Sequence, residues 1–169
     1  AQYVDEVLSG EGGDELFAGY SYLKALPASA LAGELLDIAG RLHNTALQRV
    51  DRSAAAHGLI VHVCFLDPSV VDYALRIPTE CKLRDGVEKW ILREALDGML
   101  PERVRRRPKA KFWEGAGVLD RLAHTAEANV SDADFHRERT LPNGWTLNSK
   151  EELMYYRLFR ECFGDRIPL

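Results

Sequence analysis

From Ser9 to Leu16 the chain reads SGEGGDEL, three glycines and three carboxylates within eight residues. The preceding run YVDEVL (3–8) is apolar enough to be a strand entering a loop, and Asp14, as an N-cap or first-turn residue, starts a helix. That helix carries Leu16, Phe17, Tyr20 and Leu23 or Lys24 at helical spacing as far as Pro27. A strand, a glycine-rich loop and a helix N-terminus form a unit in which backbone N–H groups meet a phosphate. Acids on the same loop repel a phosphate unless a cation lies between them, and Mg²⁺ is the usual bridge. On this reading Asp14 is a candidate Mg²⁺ ligand, and Glu11, between Gly10 and Gly12, accepts a proton or orients an amine. The same residues also suit a glycine-rich turn with solvated acids and Asp14 as an ordinary cap, because loose Gly/Asp patterns are common.

Phosphates bound here need cations from elsewhere, and RVRRRPKAK (103–111), with six positive charges, is the dense source. Most of these side chains read as a solvated basic face. Lys109 stands apart, since a lysine is a compact charge that can serve a developing anion. Arg49, in LQRVDR on the inner part of a helix, reads as an ion-pair former with Asp51 or another nearby acid, and also as a candidate site residue. The histidines, His43, His57, His62, His124 and His136, have no metal-ligand spacing. Ser9 lacks the GxSxG context of a hydrolase nucleophile.

The elements that position these groups are mostly helical. Ser29 is placed to cap a helix bearing Leu31, Leu35, Ile38 and Leu42, and the pattern restarts through Leu47 and Val50 until His57-Gly58. LIVHVCFL (59–66) suits a strand or a buried extended linker equally well. Asp67-Pro68 caps a helix ended by Ile77-Pro78. A stripe of Ile91, Leu92, Ala95, Leu96, Met99 and Leu100 follows Asp85-Gly86 and closes at Pro101. FWEGAGVLD (112–120) reads as a loop with a helix starting near Val118, and 131–148 as polar, with a turn at Leu141–Gly144. Ser149 and Glu152 have capping-box spacing ahead of a last helix with Met154, Tyr155, Leu158, Phe159 and Cys162 on its stripe.

With 169 residues, 46% of them hydrophobic, one globular domain is expected. A net charge of −4 and a pI of about 5.8 exclude a whole-molecule basic field for nucleic acid or a membrane surface. Cys64, Cys81 and Cys162 are odd in number and far apart, against a disulfide framework or zinc and in keeping with a reducing cytoplasm. No apolar run approaches a membrane span, and the first residues are not a signal peptide. Ala1 fits either removal of an initiating Met or excision from a longer chain.

SGEGGDELFAGY, followed in order by RVDRSAAAHG (49–58), VCFLD (63–67), KWILREALDGMLP (89–101) and RRPKAKF (106–112), resembles the synthetase domain of class B, glutamine-dependent asparagine synthetases. The likeness extends over essentially the whole chain, through SKEELMYYRLFRECF (149–163). It implies an ATP-pyrophosphatase fold, here mainly α: the helical C-terminal half of an α/β domain, with one short strand at its N-terminus. It also implies ATP and Mg²⁺ as cofactors. Ser9 and Gly10 fall where the family contacts the adenylate, Asp14 where it holds Mg²⁺, and Glu11 where it orders the intermediate and deprotonates ammonia. Lys109 matches the lysine that stabilises the leaving pyrophosphate, and Arg49 matches an active-site arginine. The implied reaction adenylates a carboxylate, aspartate or an analogue, which an amine or ammonia then attacks. The chain lacks the family's glutaminase and its Ser-Gly-Gly-x-Asp-Ser pyrophosphate loop, so a partner chain or N-terminal segment is expected to supply the latter. Ala46 stands where an Asp is usual, and Ile60, His62 and Cys64 replace residues of a Gly-x-Glu-x-Arg-x-Pro-Phe pattern. These departures open the substrate to other acceptors, as in β-lactam or lasso-peptide ring closure, and a degenerate assembly subunit is the non-catalytic alternative.

Overall fold

Two four-residue strands, β1 (Glu6–Ser9) and β2 (Ile60–Val63), pair in parallel in the computed structural model, which describes residues 1–110 and 118–164. Glu6 aligns with Ile60 and Ser9 with Val63, so both strands end at the same edge. Of the ambiguous 59–66 segment, Ile60–Val63 is a strand, a second beside the one expected, and Cys64–Leu66 is a 3₁₀ turn; the β-branched Ile60, Val61 and Val63 suit a pleated backbone. Parallel partners need a crossover, and the intervening chain provides it as helices. One face of the pair (Val7, Ser9, Val61, Val63) is half-buried and the other is open, with Leu8 at 78% exposure. On that open face His62 Nε2 lies 2.8 Å from Glu6 Oε2.

The chain divides into two compact units, 1–109 and 110–169. In the first, the loop after β1 enters α1 (Gly13–Leu16), a single turn rather than the long helix expected up to Pro27. The backbone turns left-handed at Ala18, φ 57°, and resumes as a 3₁₀ turn at Ser21–Ala25. The break has a packing cause. Leu16 and Phe17 enter one core with Ala74, against Phe65, Leu66 and Ile91, whereas Ala18 enters a second with Leu23, Leu31 and Leu35. The left-handed turn at Ala18 falls where the chain passes from one core to the other.

Helix α2 (Ala28–Gly40) starts from Pro27 and places Ser29 inside its first turn, so Ser29 is not the cap. A 3₁₀ turn, Leu42–Asn44, leads into α3 (Ala46–Ala55), which buries none of its side chains. Helix α4 (Pro68–Arg76) has the expected start, with the Asp67 carboxylate accepting from Ser69 N–H at 2.9 Å and proline at the first helical position. After α5 (Thr79–Lys82), α6 spans only Trp90–Ala95. It begins late because Asp85, Gly86 and Lys89 all have positive φ, and it ends before Pro101 because Gly98 turns left-handed at φ 72°. Helix α7 (Glu102–Arg105) completes the unit.

In the second unit, α8 (Val118–Asn129) begins where expected, and residues 111–117, part of the expected loop, lie outside the described residues. The polar stretch after it hides a helix, α9 (Asp132–Glu138), whose cap Ser131 accepts from Asp134 N–H at 3.1 Å. The turn at 141–144 forms as expected, with Gly144 N–H donating to Leu141 O at 2.9 Å. Helix α10 (Lys150–Phe163) is capped by Ser149, which accepts from Glu152 N–H at 3.2 Å, while the Glu152 carboxylate reaches back to Asn148 N–H at 2.5 Å. Its buried anchor is Leu153, and Tyr155, Leu158 and Cys162 of the expected stripe face outward. The buried apolar residues of this unit are Leu153, Ala126, Val130 and Leu141 among those described. Among the described residues no helix is long and apolar enough to cross a membrane, and all three cysteines are free.

Candidate active site

Ligands of parallel sheets collect beyond the carboxyl ends of the strands, which here means Ser9-Gly10-Glu11 after β1 and Cys64–Leu66 after β2. The loop's three glycines divide by purpose. A side chain at Gly10 would meet no atom within 4 Å, so packing does not require a glycine there. Gly12 has φ 91°, and a Cβ there would run into the Leu66 side chain. A Cβ at Gly13 would press on the Phe65 ring at 3.2 Å. Gly12 and Gly13 thus serve close packing against the exit of β2, and of the three only Gly10 has no neighbour that packing imposes. Because α1 is one turn long, its dipole adds little to anion binding.

The acids also divide. Glu15 is buried and accepts from the Tyr20 hydroxyl; burial first, then that bond, pushes the Tyr20 phenol well above its usual range, so Tyr20 remains a donor. Asp14 is drawn to two lysines. Its Oδ2 accepts from Lys109 Nζ at 2.8 Å, and its Oδ1 lies 2.9 Å from Lys89 Nζ. Burial alone would raise the Asp14 carboxyl, but the hydrogen bond from Lys109 and the charges of Lys89 and Lys109 hold it below its ordinary value of 3.8. Gly19 has to be a glycine here, since a Cβ would occupy the space of the Asp14 carboxylate.

Glu11 faces Arg49 of α3 at 3.9 Å, beyond hydrogen-bond reach, so its carboxylate is held loosely. Arg49 therefore pairs with the loop rather than with Asp51, which meets Arg52 at 3.6 Å. Nor is Arg49 on an inner face, for its side chain is 68% exposed. The structure brings Asp14 to Lys109 and Glu11 to Arg49, with Ser9 and Gly10 at the strand end beside them. Of the altered sequence positions, Cys64 follows β2 at the loop edge, whereas Ile60 starts the strand at its far end.

Sequence reasoning missed Lys89, Glu88 and Arg93. Glu88 has a side chain only 7% exposed, with Oε2 2.7 Å from Lys24 Nζ and Oε1 2.7 Å from Arg93 Nη2. Burial opposes its ionisation, yet the hydrogen bond from Lys24 leads a set of interactions that keeps it below 4.5. The signal available was KWILREALDGMLP itself, whose first residue is Lys89. Arg105 is not part of a solvated face: its side chain is 8% exposed, 2.8 Å from Asp97 and 3.5 Å from Glu94.

A glycine at the end of a parallel strand, followed by a carboxylate held between two lysines, makes a candidate strand-end site of an α/β protein. The asparagine synthase family model matches residues 1–42 and 28–167, and the chain belongs to that family. It is 36% identical over 168 residues to the glutamine-hydrolyzing asparagine synthetase B of Escherichia coli (strain K12), covering 96% of this chain and 30% of that protein. It is 39% identical over 169 residues to the glutamine-hydrolyzing asparagine synthetase of Rattus norvegicus, covering 95% of this chain and 30% of the relative. A probable asparagine synthetase of Schizosaccharomyces pombe shares 36% over 176 residues, 96% of this chain and 32% of the relative. The chain thus spans about a third of the length of these relatives.

Proposed function

We propose that this chain forms the helical half of an asparagine-synthetase-like, ATP-dependent amide ligase, completed by a partner chain or N-terminal segment carrying the pyrophosphate loop. A substrate carboxylate oxygen attacks the α-phosphorus of ATP, the bond to the β-phosphate oxygen breaks, and an acyl-adenylate and pyrophosphate form. An amine or ammonia nitrogen then attacks the acyl carbon, AMP leaves with the bonding electrons, and Glu11 accepts the proton released by nitrogen. Ser9 and the Gly10 backbone contact the adenylate, and Arg49 lies across from Glu11, at 3.9 Å, leaving its carboxylate free to take the proton. Lys109 neutralises the charge that grows on the departing pyrophosphate.

Asp14 suits one coordination position of a Mg²⁺–phosphate complex. Its Oδ1 is buried and receives no well-directed hydrogen bond although Lys89 is near, which leaves a lone pair for a cation. Among the described residues no group of three or more His, Cys, Asp or Glu side chains could hold a metal by itself. That fits an ion that draws most of its ligands from phosphates and water. Bound there, Mg²⁺ would supply charge neutralisation between Asp14 and the phosphates.

The observation that carries this reading is the Asp14–Lys109 pair, 95 residues apart in sequence and joined at the carboxyl end of β1. The test is carboxylate-dependent ATP–pyrophosphate exchange by the completed ligase. Lys109→Ala should reduce it by about 10²–10³-fold, and undiminished exchange would sink the assignment. A second reading rests on Ala46, at the start of the helix that carries Arg49. Lacking a charge for an α-ammonium group, it favours a carboxylate other than aspartate, as in β-lactam or lasso-peptide ring closure. A substrate panel in the same assay decides between them, with aspartate-only exchange ruling the second out. Failure of the completed assembly to bind Mg-ATP would instead favour a non-catalytic assembly role.

A further inference from the structure

We infer that Glu88 and Arg93 are positioning residues that hold Lys109 at Asp14, a role that rests on the function proposed for Lys109. Residues 106–110 are all exposed, and the stretch borders a cavity of about 280 Å³, so packing does not fix Lys109. Hydrogen bonds do. Arg93 Nη1 donates to the carbonyls of Arg105 at 2.6 Å and Arg107 at 3.1 Å. Its Nε donates to Glu88 O at 2.8 Å and its Nη2 to Glu88 Oε1 at 2.7 Å. The same Oε1 accepts the backbone N–H of Lys109 at 3.2 Å.

Three of these bonds therefore end on the backbone between Arg105 and Lys109, the segment that delivers the lysine. Arg105 answers from the other side, donating to Arg93 O at 3.3 Å. Only a planar guanidinium can serve a carboxylate and three carbonyls from one position, and a lysine at 93 would lose most of them. A carboxylate buried for stability alone needs charged partners, which Lys24 and Arg93 already provide; its bond to the amide of one distant lysine is the feature that stability does not require. Chemistry depends steeply on such placement, since an error of about 1 Å costs about 10²-fold in rate.

The test uses two variants, Glu88→Gln and Arg93→Lys, and two readouts. In the chain itself, the lysine Cε–Hε NMR signal of Lys109, assigned through Lys109→Arg, should move to the free-lysine position in both variants while the amide spectrum stays dispersed. In the completed ligase, the turnover rate of ATP–pyrophosphate exchange should fall by about 10–10²-fold, with the KM for ATP kept within about twofold. Arg106→Ala, which cuts only an exposed tie to Glu102 in the same segment, should leave both readouts unchanged. An unmoved Lys109 signal in the folded variants overturns the inference, as does an equal shift in Arg106→Ala. A displaced signal with undiminished exchange upholds the positioning and removes Lys109 from the proposed chemistry instead.

Discussion

Each unit carries a charge network, and the two obey different physics. In the first, Glu88 is 7% and Asp14 18% exposed, and the partners of Asp14 come from distant parts of the sequence. In the second, Lys150 joins Glu127 at 2.5 Å and Asp132 at 2.7 Å, with those acids 64% and 87% exposed. Arg137, 65% exposed, meets Asp134 and Glu138, and Arg157 meets the same two acids with all three of those side chains about a third exposed. Water screens the second set, so its pairs contribute little individually. Burial makes the first set indispensable once formed, because removing one partner strands a charge away from solvent. A similar inventory of side chains is thus placed with its acids buried in one unit and with its acids open to water in the other.

That contrast can be broken most strongly at the loop. Gly12→Ala forces a side chain into φ 91° and against Leu66, and should cost about 3 kcal/mol by urea denaturation. An equal substitution at Gly10, where the space is open, should have a far smaller effect on stability. If both changes proved equally harmful, the division of the glycines between packing and ligand approach would fail.

A smaller loss should follow acidification. Asp14 and Glu88 have folded-state pKa values below their ordinary 3.8 and 4.5. A depressed acid contributes stability that is complete above its unfolded value and disappears as pH falls through the folded one. Unfolding of the first unit should therefore become easier from about pH 5 downward, and Glu88→Gln should flatten that dependence. An unchanged slope in the variant would show that Glu88 is not depressed. The least effect is expected in the second unit, where Arg137→Ala, at a side chain 65% exposed, should leave the unfolding midpoint nearly unmoved. A larger shift there would erase the distinction between the two networks.

Much of the local structure was legible because its causes are local. The Asp67-Pro68 start of α4 and the Ser149 and Glu152 capping bonds of α10 involve residues a few positions apart. Helix α9 was hidden by its polarity, since seven residues with few apolar positions show no stripe. The break after Leu16 was hidden for the opposite reason: LFAGYSYL is periodic enough for a helix, yet Phe17 and Ala18 pack into different cores and Gly19 packs against the Asp14 carboxylate.

By itself, the sequence determined the residue types and the order that mark the family: the acidic glycine loop, the later lysine and the motifs between them. Tertiary structure alone decided which of those groups meet. It assigned Gly12 and Gly13 to packing and left Gly10 open, turned Arg49 toward Glu11 rather than Asp51, and brought Lys89 and Lys109 to Asp14. The reason is physical. A cap or turn is settled by neighbours in the chain, whereas a partner for a half-buried charge is settled by which distant segments share its low-dielectric surroundings.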